Sequence, residues 1–202
     1  MKKDLNPTEK YYYTDSMDLG WDSEATEKFV TNVGLITSNG SHGQNIMACE
    51  WTHHISYSPG LIAVCIRLHK ATAENIKETK EFGVNICSTD QSTMSSISGN
   101  YSGKEYNKVE ALKELGFKFY KAKKINTLMV EGAAANIECK LIKLIDIGDH
   151  PLFVGEVVDV SVNPKEPLAY YKGKYWKTSE KIAKPPQEIL DKIERLLEKH
   201  KK

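Results

Sequence analysis

The chain has 202 residues, enough for one large domain or two small ones. Hydrophobic residues at 40% and charged residues at 27% exclude wholesale disorder. With 28 Lys and Arg against 27 Asp and Glu, the net charge of +1 gives no electrostatic reason to expect nucleic acid or an anionic membrane as a main partner.

The first residues, Met1 to Pro7, are polar, and no apolar stretch of the signal-peptide kind follows. The opening stretch also holds the cluster Tyr11-Tyr12-Tyr13 and reads as an arm over residues 1–27 that packs on a second surface. Asp22 is placed to cap a short helix over 25–29. Val33 to Thr37 reads as a strand, Ser38 to Asn45 as a loop rich in Gly, Ser and Asn, and Ile46 to Trp51 as a second strand, together a hairpin with a long tip. Ser58-Pro59-Gly60 signals a turn. Leu61 to Ile66 is the longest solid apolar run, so it reads as a strand buried on both faces, far short of the ~20 residues of a membrane helix.

Thr72 is expected to cap a helix from Ala73 to about Lys80, followed by a strand over 82–87 and a short helix over 90–97. Residues 98–103 read as a polar loop. Val109, Leu112 and Leu115 lie at helical spacing, with Gly116 as the stop. Beyond this point the pattern is mostly strand. Ile137, Cys139 and Leu141 alternate with charged residues, the alternation slips at Ile142, and a bulge is expected there. After a turn at 148–151, Val154, Val158, Val160 and Val162 are expected on one face. Strands rarely separated by full helices imply an antiparallel sheet, closed or nearly closed into a barrel that hides its edges. Residues 163–176 read as an extended tail. Pro185-Pro186 opens a last helix with an apolar stripe (Ile189, Leu190, Ile193, Leu196, Leu197) and Glu188/Lys192 and Asp191/Arg195 at pairing distance.

Neither G-x-G-x-x-G, G-x-x-x-x-G-K-[ST] nor G-x-S-x-G occurs. The turn Arg67-Leu68-His69-Lys70-Ala71-Thr72 sets cations at a helix start, where free N–H groups and the helix dipole favour an anion. It reads either as a phosphate site or as an ordinary strand–helix turn with solvated charges. Asn45 to Trp51 reads either as backbone against which a flat ring could lie or as part of a hairpin tip. His53 and His54 are adjacent, so a strand sends them to opposite faces, and the histidine spacing suggests no metal site. Cys49, Cys65, Cys87 and Cys139 form no C-x-x-C pair, and reduced thiols in a cytoplasmic protein are expected. Cys49 reads as a small buried residue and not as a reactive thiol.

One collinear series of short motifs goes further. It comprises Asn45-x-Met47-Ala48, Ile55-Ser56-x-Ser58-Pro59, Lys70-Ala71-Thr72, Phe82-Gly83-Val84-Asn85-Ile86, Ser102-Gly103-Lys104…Lys108, Ala135-x-Ile137-Glu138-Cys139 and Gly148-Asp149-His150…Gly155-Glu156-Val157. This series resembles the flavin reductase-like family with the FMN-binding split barrel, in particular its flavoredoxin-type proteins, over about residues 28–162. The resemblance implies a mainly β fold with flanking helices, a Greek-key split β-barrel over 28–165, with residues 166–202 as a tail and helix. It also implies a homodimer, FMN as cofactor, and NADH or NADPH as electron donor. By resemblance, Thr37 and Ser38 approach the flavin ring, and Ala48, Cys49, Glu50 and Trp51 line the ring and ribityl chain with Asn45. Ser56 and Ser58 form the family's turn before proline. Arg67, Lys70 and Thr72 hold the phosphate, and Ser102, Gly103, Lys104 and Lys108 close over it. His150 lies near the flavin or nicotinamide and is the single candidate catalytic side chain. The chain departs from relatives in having Lys70 where many carry Arg, a point charge in place of a bidentate fork, and Asn107-Lys108-Val109 where many carry Asp-Lys-Phe. The implied function is an oxidoreductase passing electrons from NAD(P)H through flavin to an unknown acceptor. Alternatives are an electron carrier without nicotinamide activity and a binding module that has lost the flavin.

Overall fold

The computed structural model describes residues 17–178 and 180–201; the tyrosine cluster at 11–13 lies outside them. A short 3-10 turn, Thr26–Lys28, leads to β1 (Thr31–Asn32) and β2 (Gly34–Ser38). Then come β3 (Asn45–Cys49), β4 (Thr52–Tyr57) and β5 (Gly60–Cys65). Next are α1 (Ala71–Thr79), β6 (Glu81–Ile86), α2 (Ser92–Asn100) and α3 (Lys108–Glu114). The second half holds β7 (Phe119–Lys121), β8 (Leu128–Val130), β9 (Ala135–Ile145) and β10 (Leu152–Val162). It ends in β11 (Ala169–Tyr171), β12 (Lys174–Trp176) and α4 (Gln187–Lys199).

Seven strands form one sheet in the order β3-β2-β6-β9-β10-β5-β4, every pair antiparallel. Its two edges, β3 and β4, are joined by Glu50 and Trp51 alone. Two linking residues reach only about 10 Å between strand ends, so the sheet must curl until its edges meet. The Cys49 thiol accordingly lies 3.5 Å from the Cys65 carbonyl oxygen. This is the nearly closed antiparallel barrel that the strand-rich pattern implies.

The curl creates two cores. Ile36, Val64, Phe82, Val84 and Phe153 fill one, with Ala73 and Ile76 of α1. Val33, Leu35, Ile46, Met94, Leu112 and Val130 fill the other, with α2 and α3. Because alternate residues of β2 enter different cores, all five of its positions are buried. The bulge expected at Ile142 is present: Val154 pairs with Lys143 and Gly155 with Leu141, which leaves Ile142 between them unpaired.

Several expectations are corrected. Asp22 does not cap the 3-10 turn; the Ser23 hydroxyl accepts the Thr26 amide at 3.2 Å, from the position that reaches it. The first regular helix begins at Ala71 with Lys70 at its N-cap, so Thr72 lies inside the first turn and its hydroxyl does not cap. Strand β4 was not expected: it is polar and exposed along most of its length, as an edge strand can be. Helix α2 runs on through Ser98-Gly99-Asn100, expected as loop, because these small residues let it pack on β3; a Cβ at Gly99 would lie 3.4 Å from the Ala48 Cβ. The four valines of β10 do not share one face. A second irregularity between Val157 and Asp159 breaks the alternation, leaving Val154 buried and Val160 and Val162 56% and 75% exposed.

Residues 169–176, expected as part of an extended tail, are extended but paired. They form the hairpin β11–β12, which pairs with β1, and the Tyr175 hydroxyl reaches Ser95 Oγ of α2 at 3.0 Å. On α4 the apolar stripe is exposed. Neither expected ion pair forms there among the described residues; the Asp191 carboxylate instead accepts from the Gln187 amide at 2.7 Å. Exposed pairs of this kind contribute little, so local geometry decides between them. No helix among the described residues is long and apolar enough to cross a membrane.

Candidate functional site

Two groups of side chains lie at the two ends of β3. The first gathers where α1 begins. Lys70 occupies the N-cap in extended backbone, and no side chain caps the helix, so the amides of its first turn keep their donors. Asn45, at the start of β3, donates to the Thr72 hydroxyl at 2.8 Å. The loop after α2 packs on the same asparagine: a Cβ at Gly103 would lie 2.7 Å from Asn45 Cγ, so only glycine lets the loop approach this closely. The Ser102 hydroxyl accepts the Lys104 amide, and the Lys104 ammonium pairs with Glu74 at 2.7 Å. Glu74 also meets His42, from the loop between β2 and β3, at 2.5 Å. These two partners, Lys104 first, hold the Glu74 carboxyl below its usual range. Behind them Lys108 is buried, with Nζ on the Ser98 carbonyl at 3.1 Å.

The second group lies at the far end of β3, about 13 Å away at about 3.3 Å per residue. Trp51 and His150 stack edge to face with centroids 4.7 Å apart. His150 Nδ1 pairs with Asp149 at 2.8 Å, and Arg67 reaches the other oxygen of the same carboxylate at 3.1 Å. The histidine, then the guanidinium, holds Asp149 below the ordinary carboxylate range. Arg67 is only three residues from Lys70, so the chain between β5 and α1 ties the two groups together. Ala48, with its small side chain, lies between them.

Some residues singled out from the sequence stay apart. Thr37 is buried, and its hydroxyl accepts from Asn85 at 3.3 Å and faces the Met129 sulfur. The Ser38 hydroxyl accepts from Asn75 at 3.2 Å. Both hydroxyls accept from buried asparagine amides inside the fold. The Cys49 thiol turns to the carbonyls of Trp51 and Cys65, and burial pushes it up to about 11. That leaves it protonated at neutral pH, as a packing residue. Glu50 is half-buried, and burial raises its carboxyl. Ser56 and Ser58 sit at the β4–β5 turn, the end of β5 away from Arg67. Among the described residues, no cluster of three or more His, Cys, Asp or Glu side chains is placed to hold a metal ion.

Three residues of this site had no motif to announce them: His42, Glu74 and Asn75. Asn75 is fully buried; its oxygen accepts the His42 amide at 3.0 Å and its amide donates to the Gly43 carbonyl at 2.9 Å. The available signal was an amide one turn after Thr72, on the face of α1 that packs on the sheet. Asn75→Ala is expected to lower stability by about 1–3 kcal/mol through the unpaired buried groups it leaves. It should also speed hydrogen exchange at residues 41–43. An unchanged exchange pattern in that loop would show that the amide does not hold it.

The geometry has known counterparts. The family described as flavin reductase like domain matches residues 26–179. The chain belongs to this family. It is therefore a flavin reductase-type oxidoreductase built on the split barrel. An uncharacterized protein of Archaeoglobus fulgidus is 34% identical over 127 residues, 63% of this chain and 70% of that protein. The ferric-chelate reductase (NAD(P)H) of the same organism is 28% identical over 141 residues, 70% of this chain and 81% of that enzyme. Among solved structures, the flavin reductase PheA2 in its native state superposes with a TM-score of 0.65 at 28% identity, covering 77% of this chain and 95% of that one.

Proposed function

We propose that this flavin reductase-type protein binds FMN along β3 and passes electrons from NADH or NADPH through it to an acceptor. The observation that carries the reading is the anion-ready end of the site. Two ammonium groups, Lys70 and Lys108, lie close enough for the charge of one to act on the other, and among the described residues no carboxylate is paired with either. The uncapped amides of α1 complete a set of donors for a phosphate. The residues thus fit the group that the family implies.

Lys70, Lys108 and the α1 amides would hold the phosphate, with the Gly103 loop closing over Asn45. Backbone of Ala48 to Trp51 would meet the ring, which when bound supplies the hydride-accepting centre. Trp51 and His150 shield the opposite end from water. His150 is held by Asp149 in one orientation, so it presents one ring edge to an arriving nicotinamide. This arrangement asks no side chain to act as acid or base on a carbon centre. The exposed valines of β10 support a homodimer.

The test is optical. The purified protein is saturated with FMN and mixed anaerobically with NADH or NADPH in a stopped-flow spectrometer. Loss of the yellow absorption within seconds is the expected result. Binding without bleaching by either nucleotide would make the protein an electron carrier, and no binding of FMN would overturn the flavin site.

A further inference from the structure

Lys108 opens α3 with its side chain inside the protein; the residue is 3% exposed. An ammonium has three N–H donors. Here one protein acceptor, the Ser98 carbonyl, takes one of them. On the same residue the Ser98 hydroxyl is buried with no partner. The charged surroundings are sparse. Helix α2 carries no charged side chain, and β3 has no ionisable group but the Cys49 thiol. At the start of α1 the facing group is the Lys70 ammonium. On α3 itself, Glu110 turns to Lys113 at 2.7 Å and Glu114 is exposed. In the preceding loop Lys104 is taken by Glu74 and Glu105 is exposed. A buried amine that faces a second cation and no carboxylate is held in its uncharged form more readily than one in water.

Resting on the flavin reading above, we infer that Lys108 and the Ser98 hydroxyl make recognition of the flavin phosphate proton-linked: binding of a phosphorylated flavin draws a proton from solvent onto Lys108 Nζ, and binding of an unphosphorylated flavin does not. Burial first, and the Lys70 charge second, bring the free Lys108 amine down to about 8. Below that pH Nζ is already charged, and phosphate binding takes up no proton. Above it Nζ is neutral in the free protein, and an adjacent phosphate dianion restores the ammonium. Between the free and bound values, affinity for FMN therefore falls about tenfold per pH unit, while affinity for riboflavin stays level. The Ser98 hydroxyl supplies a second, neutral donor to the same anion. The pair selects for phosphate most strongly below pH 8.

The full chain is titrated with FMN and with riboflavin by calorimetry at about pH 9, in two buffers of different ionisation heat, which gives the protons taken up on binding. Uptake of about one proton with FMN and about none with riboflavin is expected. Lys108→Arg, charged throughout, should bind FMN with no uptake, and Ser98→Ala should weaken FMN and leave riboflavin unchanged. FMN binding in the unaltered protein without proton uptake overturns the inference and leaves the flavin site standing, as does equal uptake with riboflavin. Failure of both flavins to bind overturns the flavin reading, and this inference with it.

Discussion

Gly155→Val is expected to leave little folded protein. Gly155 lies in the middle of β10, between two neighbouring strands of the curled sheet. A Cβ there would come within 2.7 Å of the Phe82 ring and 2.8 Å of the Cys139 Cβ. Phe82 is fully buried, in the core shared with Phe153, Val64 and Ile76. The ring has no free volume into which to move, because interiors are packed to crystal density. Overpacking by one methyl costs about 1–3 kcal/mol, and valine adds two more carbons in the same place. A domain of this kind is stable by only about 5–15 kcal/mol, so the loss is a large fraction of the whole. The double variant separates this cause from a general intolerance of β10. Phe82→Ala alone should cost about 3–5 kcal/mol through its cavity. Combined with Gly155→Ala, the added methyl occupies part of that cavity, so the double variant should be more stable than the sum of the two changes. Gly60→Ala is the control, since a Cβ there meets Val157 at an ordinary 3.5 Å. Urea unfolding of the four alanine variants measures the coupling. Strict additivity would mean that Phe82 does not set the requirement for glycine.

The same crowding explains what could be read from the chain in advance. Gly155 was visible only as part of a short motif, because the side chain that demands it comes from β6, far away in sequence. Local signals served better. The apolar run 61–66 became β5, the slip at Ile142 became a bulge, and Gly116 ended α3 with a φ of 91° that suits glycine. β4 stayed hidden because an edge strand with one open face needs little apolar patterning. The cations at 67–72 were legible because they are contiguous, and the structure keeps Lys70 at a helix start as that pattern requires. Thr72 lies two positions past the N-cap; a threonine before an apolar run resembles an N-cap whether or not its backbone is extended. The pairing of Trp51 with His150 had no local signal at all. It follows from the closure of the barrel, which brings the corner after β3 against the turn before β10.

Lys70→Ala should reduce FMN affinity about tenfold at pH near 7, and Lys70→Ala with Lys108→Gln about a hundredfold or more, with riboflavin affinity unchanged in both. Hydrogen bonds to charged groups contribute about 1.5–3 kcal/mol each. Lys70 is exposed, so screening by water and salt holds its share to the low end. Lys108 is buried and loses less to screening. The size of the coupling between the two changes should depend on pH. Near pH 7 the Lys108 amine, with its value of about 8, is already charged in most molecules, so losing Lys70 removes one attraction and returns nothing. Near pH 9 the free protein holds Lys108 mainly neutral, in part because of the Lys70 charge. Removing Lys70 then eases protonation of Lys108 and recovers part of the loss. The affinity ratio of unaltered protein to Lys70→Ala should therefore shrink from about pH 7 to about pH 9. Fluorescence titration of flavin at the two pH values measures it. A ratio that stays constant or grows would mean that the two lysines do not act on one anion, and that the start of α1 binds something other than the phosphate.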